Sequence, residues 1–367
     1  MGFRCGIVGL PNVGKSTLFN ALAMGHKHAE VANYPFCTIE PNVGIIQVPD
    51  ERLNKIAQIT KPERIVPTTL QFVDIAGLIE GSSKGEGLGN QFLAHIREVD
   101  AIIHLVRLFK DKNVSHIAEA IDPIRDVEIV NIELLLADLD TVEKRFQKVQ
   151  KMAKSGEKKI KLELDVVEKI MSAIAKGIPA RQLLLDEHLS ELVKEMSLLT
   201  AKPVLYVANV SDSNLEEDKE HIKRLEDYAS KEGAKVVEIS CKIQSEIGEI
   251  ENEEERQEFL KEMGIDELSL NKLIRTGYEL LHLITFFTIL SNEAKAWTVA
   301  KGTTALKAAG KIHTDFEKGF IKAEVLSYKD LLTYKSEHIA REKGIIRVEG
   351  KDYIVQDGDI IHFKFHL

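Results

Sequence analysis

Gly9-Leu10-Pro11-Asn12-Val13-Gly14-Lys15-Ser16 matches the spacing G-x-x-x-x-G-K-[ST]. Its glycines let successive backbone N–H groups turn inward around phosphate oxygens. Lys15 is placed to pair with the β- and γ-phosphates of a nucleoside triphosphate, and Ser16 to ligate Mg2+. A helical run opening at Thr17 adds the positive potential of a helix N-terminus. Asn12, Val13, Gly14, Lys15, Ser16 and Thr17 are therefore the expected phosphate-binding residues.

Asp74-Ile75-Ala76-Gly77 ends the apolar run Leu70-Gln71-Phe72-Val73, which sets a carboxylate at the C-terminal edge of a buried strand. Asp74 is expected to hold Mg2+ through water, and the Gly77 amide to approach the γ-phosphate, so that Gly77 and Lys15 both act on the transferred group. Thr38 lies between the two motifs and is the candidate switch threonine that completes the metal shell. Leu78 follows Gly77, where a glutamine would orient the attacking water, and a leucine has no group to do so. The stretch 81–90 carries four glycines, enough backbone freedom for a second switch. Base recognition is expected from Asn209-Val210-Ser211-Asp212, which keeps the acid of the guanine-reading pattern N-K-x-D but has Val210 for its lysine. Ser240-Cys241-Lys242 is read as the second base-contacting loop, with Ser240 and Cys241 as its binding residues; a plain strand-end turn fits the tripeptide as well.

These residues need a sheet to position them. Short β-branched and apolar runs occur at 3–8, 43–48, 69–75, 101–108, 203–210 and 235–240, mostly separated by helical patterns. That alternation predicts an α/β fold with a mostly parallel sheet, and the runs at 43 and 69 are open to antiparallel edge pairing. From Ile132 the apolar positions Leu135, Leu139, Val142, Phe146, Val149 and Ala153 follow at steps of three and four. A second series, Ile160, Leu164, Val167, Met171 and Ile174, ends before Gly177-Ile178-Pro179. The pattern predicts an inserted antiparallel coiled-coil hairpin, with a break near Lys154-Ser155-Gly156-Glu157. Lys144, Arg145, Lys148, Lys151, Lys154, Lys158, Lys159 and Lys161 surround its tip, as a docking point for an anionic partner such as RNA or as a solvated face. Strand-like runs at 297–299, 312–314, 321–325, 345–348, 353–355 and 360–365 predict a separate α+β module. The expected domains are 1–130 with 200–280 for the nucleotide, 131–199 for the hairpin and 281–367 for the module.

A chain of 367 residues fits two or three domains, and a formal net charge of −9 argues against nucleic-acid binding by overall charge. Cys5, Cys37 and Cys241 lack metal-ligand spacing, so they are read as reduced thiols and no zinc site is expected. A strand is expected within three residues of the start, which leaves no room for a targeting segment and makes the cytoplasm the expected location. The longest apolar stretch, Leu280 to Leu290, is too short for a bilayer, excludes membrane insertion and is read as a buried helix.

The runs at 9–16, 33–42, 74–78 and 84–90 together strongly resemble the YchF subfamily of the Obg-like P-loop NTPases. The resemblance spans essentially the whole chain, with hairpin and C-terminal module in the same order, and implies that the module is a TGS domain of β-grasp fold. It implies an NTPase that prefers ATP over GTP, association with the ribosome, and a switch role in regulating translation or stress responses. It implies a hydrophobic residue in place of the catalytic glutamine, a water-positioning histidine at His116, and a monovalent cation, K+, near Asn12. Asp212 stands where the subfamily usually has glutamate, so a strictly GTP-dependent switch stays open. A nucleotide-gated RNA-binding module with incidental hydrolysis is the third reading, and a small-molecule P-loop kinase leaves Thr38 and the base motif unexplained.

Overall fold

The computed structural model describes residues 3–24, 42–75, 88–110, 121–154, 157–183, 187–212, 216–250, 252–263, 268–290 and 292–366. Buried β1 (Arg4–Val8) runs into the phosphate-loop segment, and α1 (Lys15–Met24) starts where that segment ends. β2 (Val43–Gln47) leads to α2 (Glu51–Thr60) and β3 (Arg64–Val66), and the chain returns through β4 (Thr69–Asp74). The Asp74 amide donates to the Asn42 carbonyl and the Val48 amide to the Thr68 carbonyl, each at 2.9 Å. Residue numbers on the two strands thus run in opposite senses, so β2 and β4 form the antiparallel edge pair that the sequence left open.

α3 (Leu88–Glu98) leads into β5 (Ala101–Arg107), which is buried along its whole length. α4 (Pro123–Ala153) and α5 (Lys158–Ala175) make the inserted hairpin, and α6 (Glu187–Met196) packs against it. Asp122 caps α4 and Pro123 stands in its first turn, so the helix starts nine residues before Ile132, where the apolar seam was expected to begin. Ile132 is half exposed, while Val142, Val149, Val167, Ile170 and Ile174 form the hairpin core. Each such buried side chain contributes roughly 1.5–3 kcal/mol of hydrophobic stabilisation. Gly177, at φ 79°, ends α5: the Ile178 amide donates to the Ala173 carbonyl and the Gly177 amide to that of Ile174.

β6 (Val204–Asn209), α7 (Glu216–Lys231), β7 (Lys235–Ile239), α8 (Cys241–Glu249), α9 (Glu253–Glu262) and α10 (Ser269–Leu280) follow. The first sheet has the order β2-β4-β1-β5-β6-β7, with β4, β1, β5, β6 and β7 parallel. It is the expected P-loop α/β arrangement.

The C-terminal elements are β8 (Leu283–Ile289), β9 (Glu293–Ala300), α11 (Ala305–Ile312), α12 (Thr314–Lys318), β10 (Phe320–Ser327), α13 (Tyr328–Tyr334), α14 (Glu337–Glu342), β11 (Arg347–Glu349) and β12 (Asp359–Phe365). Their sheet has the order β11-β10-β12-β8-β9-β3 with β12 parallel to β8, the β-grasp arrangement with one added strand. The stretch read as a buried helix at 280–290 is instead mostly β8. Ile284, Thr285, Phe286, Phe287, Thr288 and Ile289 are β-branched or aromatic, and a run of seven suits a buried strand better than a helix. The run 312–314 is helix end and cap, because Thr304 caps an alanine-rich turn ahead of it and His313 caps α12. Residues 353–355 make only an isolated bridge, Thr304 to Ile354.

The chain divides into two compact units, Met1–Ile45 with Gln71–Leu273, and Ile46–Leu70 with Ile274–Leu367. Residues 46–70 therefore sit with the C-terminal sheet rather than with the nucleotide domain. β3 pairs with β9, and Leu53 and Ile56 of α2 enter the core with Phe287, Leu326 and Ile360.

Candidate functional site

The parallel strands of the first sheet end on one edge, where the loop after β1 meets the ends of β4 and β6. Close approach fixes two glycines there. A Cβ on Gly9 would lie 2.5 Å from the Leu105 carbonyl oxygen, and one on Gly14, at φ 101°, would lie 2.6 Å from Asn209 Nδ2. Asn12 also adopts the left-handed region at φ 60°, a conformation asparagine tolerates better than most residues.

Lys15 is 9% exposed and curls over its own loop, its Nζ donating to the carbonyls of Gly9 at 3.1 Å and Leu10 at 2.7 Å. Burial pushes its ammonium down to about 8, against the opposing pull of Asp74. Ser16 Oγ, in the first turn of α1, donates to Asp74 Oδ2 at the end of β4 at 3.2 Å. Burial raises the Asp74 carboxyl above its ordinary range, while the Ser16 hydroxyl and Lys15 pull it down. A hydroxyl and a carboxylate this close are hard oxygen donors that one small divalent cation can share, so these residues fit Mg2+. Among the described residues no group of three or more His, Cys, Asp or Glu side chains could hold a metal. Ser16 and Asp74 are the oxygen donors that the described residues bring together here.

Asn209 is buried and spends its amide on the protein. Its Nδ2 donates to the Val13 carbonyl at 2.9 Å, and its Oδ1 accepts from the Cys241 amide at 3.1 Å. It therefore fastens the phosphate loop, the end of β6 and the start of α8 to one another. The Val210 amide donates to the Ile239 carbonyl, which joins the two strand ends by their backbones. Asp212 accepts from Ser240 Oγ at 3.0 Å and from Lys242 Nζ at 2.5 Å. The Ser240 oxygen also accepts from the Ile243 amide, capping α8. Burial pushes the Cys241 thiol up to about 12, so at neutral pH its sulfur is a packing group and not a nucleophile.

Lys15, Ser16 and Asp74 are thus brought together, as are Asn209, Asp212, Ser240 and Cys241 with Val13 and Gly14. Thr17 follows Ser16 in the first turn of α1, and both are exposed. Thr38, Gly77, Leu78 and His116 lie outside the described residues, as do positions 81–87 of the glycine-rich stretch. Lys242, which the motif reading named only as the end of a tripeptide, joins this cluster through its ion pair with Asp212. Its signal was its place beside the residues expected to face the base.

Two family models match the chain: one described as a 50S ribosome-binding GTPase over residues 4–136, and one for the C-terminal region of YchF GTPases, described as a protein of unknown function, over residues 283–366. The chain is 54% identical over 367 residues to a protein of Haemophilus influenzae named ribosome-binding ATPase YchF, with the whole of both chains covered. A Bacillus subtilis protein of the same name is 51% identical over 369 residues, again with full coverage. The solved structure of the Schizosaccharomyces pombe YchF GTPase superposes with a TM-score of 0.88 at 38% identity, covering 99% of this chain and 98% of that one.

Proposed function

The chain belongs to the YchF family of Obg-like P-loop NTPases, and from that premise we propose that it hydrolyses ATP with Mg2+ while associated with the ribosome, as a nucleotide-dependent switch in translation or stress. The observation that carries the reading is the juxtaposition of Lys15, Ser16 and Asp74 at the mouth of the Gly9–Gly14 loop.

The loop amides and the N-terminus of α1 cradle the phosphates, and Lys15 exchanges its two loop carbonyls for β- and γ-phosphate oxygens. Ser16 and Asp74 would hold Mg2+, with Thr38 completing the shell. Bound there, Mg2+ would neutralise charge that builds on the bridging and terminal phosphate oxygens. The Gly77 amide binds the γ-phosphate, and His116 orients the attacking water in the role that Leu78 cannot fill. Asn12 supplies the neutral amide oxygen suited to K+ beside the loop. Asn209 holds the base-side loops in register, while Val210, Asp212, Ser240 and Cys241 border the base. Order imposed by the γ-phosphate on the segments of Thr38 and Gly77 is the switch that a ribosome would read. The exposed Lys148, Lys151, Lys154, Lys158, Lys159 and Lys161 on α4, on α5 and at the hairpin turn form the RNA-facing surface. Association with the ribosome is what supports a cytoplasmic location; separately, among the described residues no helix is long and apolar enough to cross a membrane.

Lys15→Ala is the direct test. It removes the cation that follows charge onto the γ-phosphate, and ATP turnover is expected to fall on the order of 100-fold, the scale of losing one preorganised transition-state contact. Turnover equal to that of the unaltered protein would overturn the reading. Asp212 favours a second reading, a GTP-dependent switch, because it keeps the carboxylate that reads guanine.

A further inference from the structure

The loop after β6 keeps an aspartate of the guanine-reading kind, but that aspartate is already engaged. Oδ1 of Asp212 accepts from the Ser240 hydroxyl and Oδ2 from the Lys242 ammonium. Both partners stand on anchored backbone. Ser240 caps α8, and the amide of Cys241, between Ser240 and Lys242, is fixed by Asn209 Oδ1. The backbone that carries Lys242 is therefore anchored to the same residue that anchors the phosphate loop.

We propose that Lys242 is a specificity-determining residue, which by holding Asp212 converts a guanine-reading carboxylate into a mixed donor–acceptor edge suited to adenine. The inference deepens the ATP reading and rests on it. Guanine presents two adjacent donors, N1–H and N2–H, and an aspartate reads them by giving each an oxygen. Lysine has three donors and no acceptor, so it satisfies one carboxylate oxygen and confronts an incoming donor with another donor. The carboxylate keeps a second lone pair on each oxygen, but on the side held by Lys242 a guanine donor must crowd against the ammonium, and mismatched polar groups of this kind are how a site disfavours a competitor. Adenine presents a donor, N6–H, beside an acceptor, N1. The carboxylate takes the first and the ammonium gives to the second, with the ion pair intact.

The side chains of Lys242 and Asp212 are 69% and 42% exposed, so water and salt screen the pair. The discrimination it supplies is therefore modest, about fivefold in relative affinity, the upper range for an exposed ion pair.

The test is calorimetric titration of the full-length protein with ADP and with GDP, for the unaltered chain, Lys242→Met and Lys242→Arg. Met keeps the length of the stem and removes the donors; Arg keeps the charge. The GDP-to-ADP affinity ratio is expected to rise about fivefold in the Met variant and to stay near the starting value in the Arg variant. It is also expected to rise with salt in the unaltered protein but not in Lys242→Met. A ratio that Lys242→Met leaves unchanged, or one that Met and Arg shift alike, overturns the role of Lys242. A preference for GDP in the unaltered protein would instead sink the ATP reading, and the difference between variants would still judge Lys242 by itself.

Discussion

Asn209 illustrates how a residue of a base-reading motif acts through the protein before it acts on a ligand. Its side-chain amide is one of the few buried polar groups of the first sheet's edge, and it supplies a donor to Val13 and an acceptor to Cys241. Asn209→Ala leaves a buried carbonyl and a buried N–H without that partner, which is expected to cost about 2–3 kcal/mol of unfolding free energy in a urea titration. Because the lost contacts set loop geometry, ADP and GDP affinities should fall by the same factor. A loss confined to one base would show instead that Asn209 reads the base directly. The motif alone pointed to this position, since its spacing from the strand is local. It could not reveal where the amide points, because Val13 and Cys241 lie 196 and 32 residues away along the chain.

At the scale of elements, the root of the hairpin adds a polar joint to the apolar seam. Asp138 on α4 accepts from the Leu199 amide at 2.7 Å, the Thr200 amide at 2.8 Å and the Thr200 hydroxyl at 2.7 Å. The Thr200 oxygen accepts in turn from the Ala180 amide, just beyond α5. Arg181 bonds Glu232 at 2.6 Å, which ties the same joint to the end of α7. Lys202 Nζ donates to the carbonyls of Arg97 and Val99 at the end of α3. One short segment, 198–202, thereby joins the hairpin to the helix that follows the Gly77 region. Asp138→Ala orphans three donors in a buried place and is expected to destabilise the protein by about 3 kcal/mol or more. Asp138→Asn should recover part of this at most, since its amino group faces donors. Full recovery in chemical denaturation would mean that the carboxylate is not what holds the joint. The strands of the first sheet fall within a residue or so of their expected limits because each is a buried run bounded by turn residues. The hairpin was legible from its heptads for the same reason, that side-chain period follows local geometry. β8 was misread because a short apolar run has no period to distinguish strand from helix.

At the scale of the whole molecule, order along the chain and membership of a core diverge, and this was the least legible feature of the sequence. Residues 48–68 lie between two strands of the nucleotide sheet, yet β3 pairs residue by residue with β9: Arg64 with Glu293, Ile65 with Ala294 and Val66 with Lys295. No periodicity reports a partner more than two hundred positions away. Ile56 of α2 is fully buried in a core that includes Phe287, Ile289, Ala294, Leu326, Leu331 and Ile360. Truncating it to alanine opens a cavity in that core, and the loss is expected to be about 2–5 kcal/mol, depending on how far the neighbours relax. The place where the loss is felt is the informative part. Native-state hydrogen exchange should show the amides of β8, β9 and β12 losing protection in Ile56→Ala while those of β5 and β6 keep theirs, because local opening follows cooperative units and not sequence neighbourhood. Equal loss of protection in both sheets would mean that the molecule unfolds as a single unit. Loss confined to β5 and β6 would mean that α2 belongs energetically to the nucleotide sheet after all.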